Sequence, residues 1–448
     1  MSPKGSTRRS DVRGYAGLRE GWGLVLACSG LITISSGVWH TASVFFVELI
    51  KEFGWDYADT ASIFSLFSVL YGAWGILVGH LVDRFGPRRV VMAGGILLPI
   101  AMAANGAAHS LWHLCISHGI LAALGLSATG FVPVSLVLTR RFREHRGLAL
   151  GTASAGVGVG ILVFVPLTQL FIDQWGWRVA YVALAVISAS VTLPVGFFAL
   201  QERRVALPKE RTPAPAAPCG QGVRAAPDWT LASALRSREF WMVAATFALL
   251  NAPTQLVLTH QVAYLVEVGH SKMLVAGIVG LVGLFSIPGK IGWGLLSDRW
   301  WPEWIYVGGA GCTVAAILTL LAIDSAASHW GLYGYAVLMG LGYSVSAAMT
   351  PILSGRFFGG RHFGIILGAL STFSQSAGAA GMWLAGYAHD VTGHYRTPLL
   401  GSILSATAAV VCVWLAAPRR VRLPRAESRE TRGESAAANA DSPERLPA

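Results

Sequence analysis

Charge is what this sequence has least of. Of its 448 residues, 13% are Asp, Glu, Lys or Arg, against roughly 25% in a soluble protein. Hydrophobic residues reach 54%, and mean hydropathy is +0.55. That shortage excludes an ordinary soluble enzyme, a nucleic-acid-binding domain and a disordered chain. Cysteine is also scarce: Cys28, Cys115, Cys219, Cys312 and Cys412 show no paired spacing, so neither a disulfide framework nor a zinc site is indicated. No cleavable signal is evident, because the first twenty residues are polar and the apolar run after them is longer than a signal core. Nucleotide-binding motifs are missing too. Gly283 to Lys290 has the wrong glycine spacing for a P-loop and Ile291 after the lysine, and Gly156-x-Gly-x-Gly160 lacks the dinucleotide spacing. His109, His113 and His118 do not make a metal set, since the first two sit at a membrane edge. No catalytic constellation appears, so an enzyme is not expected, and no cofactor is implied.

What the chain does have is long apolar blocks of bilayer length. Twelve are expected: 22–47, 58–81, 89–108, 111–138, 147–172 and 178–200, then 239–265, 273–297, 304–323, 331–355, 363–388 and 398–417. These predict an all-α polytopic membrane protein divided into an N-tail (1–20), a six-helix half (21–200), a linker (201–237), a second six-helix half (238–417) and a disordered C-tail (418–448). The linker carries five prolines and is too short for a soluble output domain, which argues against a membrane-bound sensor.

Basic residues set the orientation. Of the 34 Lys and Arg, 29 fall in the tails, the linker and alternate loops. The other face has Lys51, Arg178, Lys272 and Arg396, and Lys290 lies inside span eight. The positive-inside rule then places both termini in the cytoplasm. The same placement explains the net charge of +11 without nucleic acid. Arg outnumbers Lys 29 to 5 and Ala is abundant, a composition that points to a GC-rich bacterial genome and hence an inner membrane.

The halves repeat. Gly79-His80-Leu81-Val82-Asp83-Arg84 matches Gly294-Leu295-Leu296-Ser297-Asp298-Arg299, and Arg141-Phe142 matches Arg356-Phe357, both at an offset of 215. Asp173, Gly176 and Arg178 match Asp390, Gly393 and Arg396 at 217 to 218. Parallel repeats of this kind are a transporter pattern, with substrate bound at the midplane between halves.

Gly79 to Arg89, GHLVDRFGPRR, resembles the loop signature of the major facilitator superfamily. Glu20-Gly21-Trp22-Gly23, the stretch RFREHRGLALGTASAGVGVG at 141–160, FGWDYADTAS at 53–62, GWR at 176–178 and RHFGIILG at 361–368 resemble the monocarboxylate transporter family, in its bacterial branch. The resemblance covers about residues 20–200 and 238–417. It implies the major facilitator fold and the carriage of a small organic anion, often with a proton, through a lipid bilayer. The alternative within the superfamily is an anion exchanger or an efflux carrier of drugs or metabolites. Oligomeric state is left open, a monomer being sufficient.

Ionisable groups inside lipid are functional candidates by default, costing on the order of 2.5–3.5 kcal/mol for Lys by insertion scales. Lys290 stands eight residues before Asp298, about 12 Å up a helix at ~1.5 Å per residue. The resemblance puts an Arg at this place to grip the substrate carboxylate; Lys keeps the charge and loses the bidentate fork. His260 and Tyr264 share a helix face at i, i+4, and the resemblance makes that His substrate-facing; a buried, helix-bonded His is the alternative. Ser29, Thr33, Ser36 and His40 form one polar stripe, and Tyr343, Ser346 and Thr350 another. Thr372, Gln375 and Trp383 lie near one side of span eleven, and Ser117 and His118 fall where relatives place polar contacts. Polar stripes serve equally as glue between helices. Asp83, Arg84, Arg88, Asp298 and Arg299 resemble gate-side ion pairs. Gly147, Gly151, Gly156, Gly158, Gly160, Gly289, Gly292 and Gly294 are expected at a sliding interface between halves. With no carboxylate mid-span, proton coupling is expected to run through His260 or with the substrate itself.

Overall fold

The computed structural model describes residues 8–142, 146–200, 229–297, 299–323, 329–358 and 363–416. Asp298, most of the linker and the C-tail therefore lie outside the described residues. Eleven helical stretches are long and apolar enough to cross a membrane. One of them, Ala149–Ala199, runs 51 residues, more than twice the ~20 that a bilayer needs. It changes direction at Gly176, whose φ of 80° only glycine adopts cheaply, and so contains spans five and six. The remaining spans in chain order are Trp22–Phe53, Tyr57–Phe85, Pro87–Gly106, Leu111–Leu138, Arg238–Glu267, Lys272–Ser297, Pro302–Leu321, Trp330–Phe358, Phe363–Thr392 and Arg396–Ala416. The expected twelve-helix fold is present.

The repeat is legible in the backbone. Gly393 (φ 74°) ends span eleven as Gly176 turns span five into six, and Gly54 (φ 64°) has its counterpart in Gly269 (φ 106°). Pro87 and Pro302 both open a helix at its first turn, where a missing N–H costs nothing. Span four departs from α geometry: Cys115–Ala122 is a π-helical stretch, which gives Ser117 and His118 a different heading from a regular helix. The linker's end forms a short helix, Leu231–Leu235, started by a capping box between Thr230 and Ser233.

The halves meet along three lines: span one against span seven, span two against span eleven, and span five against span eight. The sliding-interface expectation for the glycines is corrected here. Gly147 lies outside the residues whose surroundings are described; of the other seven, Gly158 sits at the crossing of spans five and eight, where an added Cβ would lie 2.5 Å from the Gly283 carbonyl. Gly156 lies against Ser29 of span one, inside its own half, with 2.5 Å from an added Cβ to that carbonyl. Gly160 meets Thr33 of the same span, and Gly289 meets Ser344 of span ten. Gly151, Gly292 and Gly294 face open space. Helical phase, invisible in a count of glycines, makes the difference.

Candidate functional site

Span eight carries Lys290 inward, and spans eight and ten approach closely because Gly289 leaves room for Ser344 and Trp293 Nε1 donates to the Leu341 carbonyl at 2.9 Å. That approach places Lys290 Nζ 5.3 Å from the centroid of Tyr343, within cation–π range. The ammonium is buried and has no hydrogen-bond partner among the described residues. The ring of His40, from span one, lies 6.0 Å from the Tyr343 ring between centroids. His40 Nδ1 donates to the Ser36 carbonyl at 2.8 Å, which fixes the tautomer and leaves Nε2 as the basic nitrogen. Lys290, Tyr343 and His40 therefore form one cluster spanning both halves.

His40 also lines a narrow cleft with Trp39, Phe64, Phe67, Gln255, Thr259 and Met382. Its free volume is about 20 Å³, room for little more than a water, so in this conformer the aromatic walls nearly fill it. Lys290 is not part of its lining, so His40 is the link between cleft and cation. Gln375 is not part of that lining. Its carbonyl oxygen accepts from Asn251 Nδ2 at 3.0 Å, and its backbone carbonyl accepts from Ser68 of the other half at 3.4 Å.

The other sequence-derived residues are bonded elsewhere. His260 is 2% exposed and uses both ring nitrogens. Nε2 donates to the Met382 carbonyl at 2.9 Å, so Nδ1 accepts the Tyr395 hydroxyl at 3.0 Å. Burial, with Glu267, Tyr57 and Asp390 nearby, pushes the Tyr395 phenol well above its ordinary range and keeps that donor protonated. This is the core-histidine alternative. Tyr264 donates to the Leu320 carbonyl at 2.9 Å. Ser117 donates to Asn105 Oδ1 at 2.6 Å, and the Asn105 amide reaches His118 Nδ1 at 3.0 Å, behind Phe64 and Phe67. Those two residues brace spans three and four within one half.

Of the loop charges, Arg84 stacks over Phe85 at 5.3 Å and Arg88 over Phe197 at 5.0 Å. Asp83 is engaged by a neighbour, Arg299 is exposed, and Asp298 is outside the described residues.

The charged contacts that do join the halves were not anticipated, and they lie at the face opposite the basic loops. Glu48 of span one pairs with Lys272 of span eight. Asp390 of span eleven accepts from the first N–H groups of span two, Tyr57 N at 2.9 Å and Ala58 N at 2.7 Å, as a helix cap supplied across the seam. The Tyr57 hydroxyl donates to Glu267 at 2.7 Å, and His389 Nε2 lies 3.3 Å from the same carboxylate oxygen. The signals were present in FGWDYADTAS, which holds Tyr57, and in Asp390 as a repeat landmark.

The sequence profile of the Major Facilitator Superfamily matches residues 27–326 and 287–443. The chain belongs to this superfamily. It is accordingly a membrane carrier and not an enzyme. Among curated relatives, monocarboxylate transporter 13 of Bos taurus is 29% identical over 410 residues, covering 87% of this chain and 88% of that one. Monocarboxylate transporter 4 of Rattus norvegicus is 38% identical over 165 residues, 37% of this chain and 35% of that one. A crystal structure of a bacterial homolog to the human lysosomal transporter Spinster, inward-facing and unoccupied, superposes with a TM-score of 0.69 at 16% identity. It covers 90% of this chain and 98% of that chain, and at such identity it supports the superfamily fold alone.

Proposed function

We propose that this superfamily member is a secondary active carrier of small organic anions of the monocarboxylate type, coupled to protons and working by alternating access of its two halves. The observation that carries the reading is Lys290. An ammonium buried between the halves with no bonded partner is held at a cost, and a bound carboxylate removes that cost. His40 and Tyr343 flank it from opposite halves, so an anion gripped there touches both and its binding is coupled to their relative position. Relatives such as monocarboxylate transporters 13 and 4 bear names that fit the same chemistry. The basic loops face the cytoplasm in this reading. The halves are bonded together at the outer face, opposite those loops. Bacterial inner membrane is the proposed address.

Uptake by proteoliposomes across a panel of labelled mono-, di- and aromatic carboxylates, with and without a pH gradient, tests it. Lys290→Gln is expected to cut uptake at least about tenfold while leaving the protein folded, since breaking a desolvated charge pair costs about 2–5 kcal/mol. Lys290→Arg is expected to retain transport with a shifted substrate preference, because the planar fork also grips carboxylate. Full activity in the Gln variant would sink the anion clamp and favour an exchanger or efflux carrier acting elsewhere in the cleft.

A further inference from the structure

Two polar side chains of span seven are buried and yet unbonded. Gln255 and Thr259 are each 7% exposed, and neither side chain bonds a described residue. Other threonines of the same helix turn back on it: Thr246 donates to the Met242 carbonyl and Thr254 to the Leu250 carbonyl, both at 2.7 Å. Thr259 makes no such bond. Both side chains instead line the narrow cleft that His40 of span one lines from the other half. We propose that this cleft holds one ordered water, bonded to His40, Gln255 and Thr259, and that the water fastens the two halves when the outer face is closed. The inference rests on the carrier reading for the motion that the water restrains; the water site itself rests on the cleft.

Size and chemistry agree. The free volume of about 20 Å³ exceeds the ~10–15 Å³ that one water needs and is too small for a carboxylic acid. Phe64, Phe67, Leu258 and Met382 wall much of the cleft with apolar surface. Ser43, also in the lining, spends its hydroxyl proton on the His40 carbonyl at 3.1 Å. Because His40 Nδ1 donates to the Ser36 carbonyl, Nε2 is an acceptor for a water proton. The Gln255 amide offers an acceptor oxygen and a donor nitrogen, and the Thr259 hydroxyl offers either role. Those are three partners for a molecule that in protein interiors makes about three bonds. Without a partner the same groups would be buried at a cost.

The position gives the water its effect. His40 stands eight residues before Glu48, and Thr259 eight before Glu267, so the site lies about 12 Å inside the charged outer seam at ~1.5 Å per residue. Lys290 is not in its lining, so water and anion do not compete for one place. His40 belongs to the first half, Gln255 and Thr259 to the second. Parting the halves at the outer face therefore pulls the water's partners away from one another. A bridging water is enthalpically close to a direct hydrogen bond, and this one exists only while the path is shut.

Opening is read by spin labels at Trp112→Cys and Trp330→Cys, exposed residues that open spans four and ten at this face, in full-length protein whose five native cysteines are replaced. The measurement is made in nanodiscs without substrate. Thr259→Val keeps the shape of the side chain and removes its hydroxyl. With a bridging water, the closed-to-open ratio is expected to fall at least about threefold, the equivalent of one hydrogen bond between membrane helices. Thr259→Ser keeps the hydroxyl and is expected to stay near the parent ratio. Gln255→Met keeps the Cβ and Cγ that pack on Gly378 and is expected to follow Thr259→Val. A dry cleft requires the opposite sign, because Thr259→Val then removes an unsatisfied hydroxyl from the closed form. A ratio that rises or does not move in Thr259→Val overturns the proposal. So does an equal fall in a His40→Phe background, where the water has no partner left on the first half and bridges nothing. If the substrate class is wrong, carboxylate uptake fails and these ratios hold. If the water site is wrong, Lys290-dependent uptake survives and the ratios do not follow.

Discussion

Spans two and eleven meet across a seam of hydrogen bonds, whereas spans five and eight, their counterparts in the repeat, meet across glycine. In the first seam Asp390 caps Tyr57 and Ala58, Ser65 donates to the Ala379 carbonyl at 2.9 Å, and Ser68 donates to the Gln375 carbonyl at 3.4 Å. In the second, Gly158 faces Gly283 and Ile287, and Gly280 lies on Leu162 and Pro166. Asp173, which the repeat aligns with Asp390, is held at 2.7 Å by Gln169 of its own helix. One seam is bonded at fixed points and must release them to part. The other is a smooth contact of small residues and backbone, which tolerates rotation and sliding. Under the proposed rocking of the halves, the first seam acts as the latch and the second as the bearing.

The largest effect is expected at the bearing. A Cβ at Gly283 would lie 2.5 Å from Ile161 Cβ and 2.8 Å from the Gly158 carbonyl. Neither is a flexible chain end, so the helices must separate. Overpacking of this kind costs typically about 1–3 kcal/mol. Gly283→Ala is expected to shift the outer-face distance distribution toward the open form and to reduce uptake more than tenfold. Gly277→Ala, with no neighbour within 4 Å on the same helix, is expected to change neither. Equal effects at the two positions would remove the bearing from the comparison.

The latch comes next. Asp390→Asn keeps one carbonyl acceptor and loses the charge that complements the span-two N-terminus. A cap is worth about 0.5–2 kcal/mol, so the closed fraction is expected to fall about two- to thirtyfold in ratio. Asp173→Asn is expected to do little, because its contact stays within one helix. If both substitutions open the outer face equally, the seams share one chemistry and the asymmetry is only apparent in this conformer.

How far the sequence reaches is visible in the same residues. Apolar length and the 215-residue offset carry the fold, because bilayer thickness constrains every span and the repeat copies whole landmarks. Glycines at 54 and 269, and at 176 and 393, turn out to share a left-handed backbone. The Lys290 region was legible because a charge in lipid is rare, and it does draw in His40 and Tyr343. For His260 the buried, bonded reading stood only as the alternative to a substrate-facing one, since its partners are 122 and 135 positions away and the sequence does not name them. The outer cluster was hidden for another reason. Tyr57, Glu267, His389 and Asp390 sit at span ends, where composition assigns charge to water, and it takes the folded seam to bring them from two halves onto one another.

The smallest expected effect belongs to Ser65, and its size decides how the latch is built. Its hydroxyl bonds a backbone carbonyl of the other half, well inside the seam and away from the Asp390 cap. Hydrogen bonds between helices in membranes average about 0.6 kcal/mol, less than the vacuum value, because the separated helices find other partners. Here the freed hydroxyl has one ready: a serine can turn back to a carbonyl of its own helix, as Ser62 does to Asp59 at 2.6 Å. Ser65→Ala is therefore expected to lower the closed-to-open ratio by less than about threefold, measured by the same label distances. Paired with Asp390→Asn it should add and not multiply beyond the separate costs, the two bonds breaking at different heights of the seam. A loss as large as that of Asp390→Asn would mean that the seam opens as one cooperative strip, with the serine line, and not the charged cap, as its fastening.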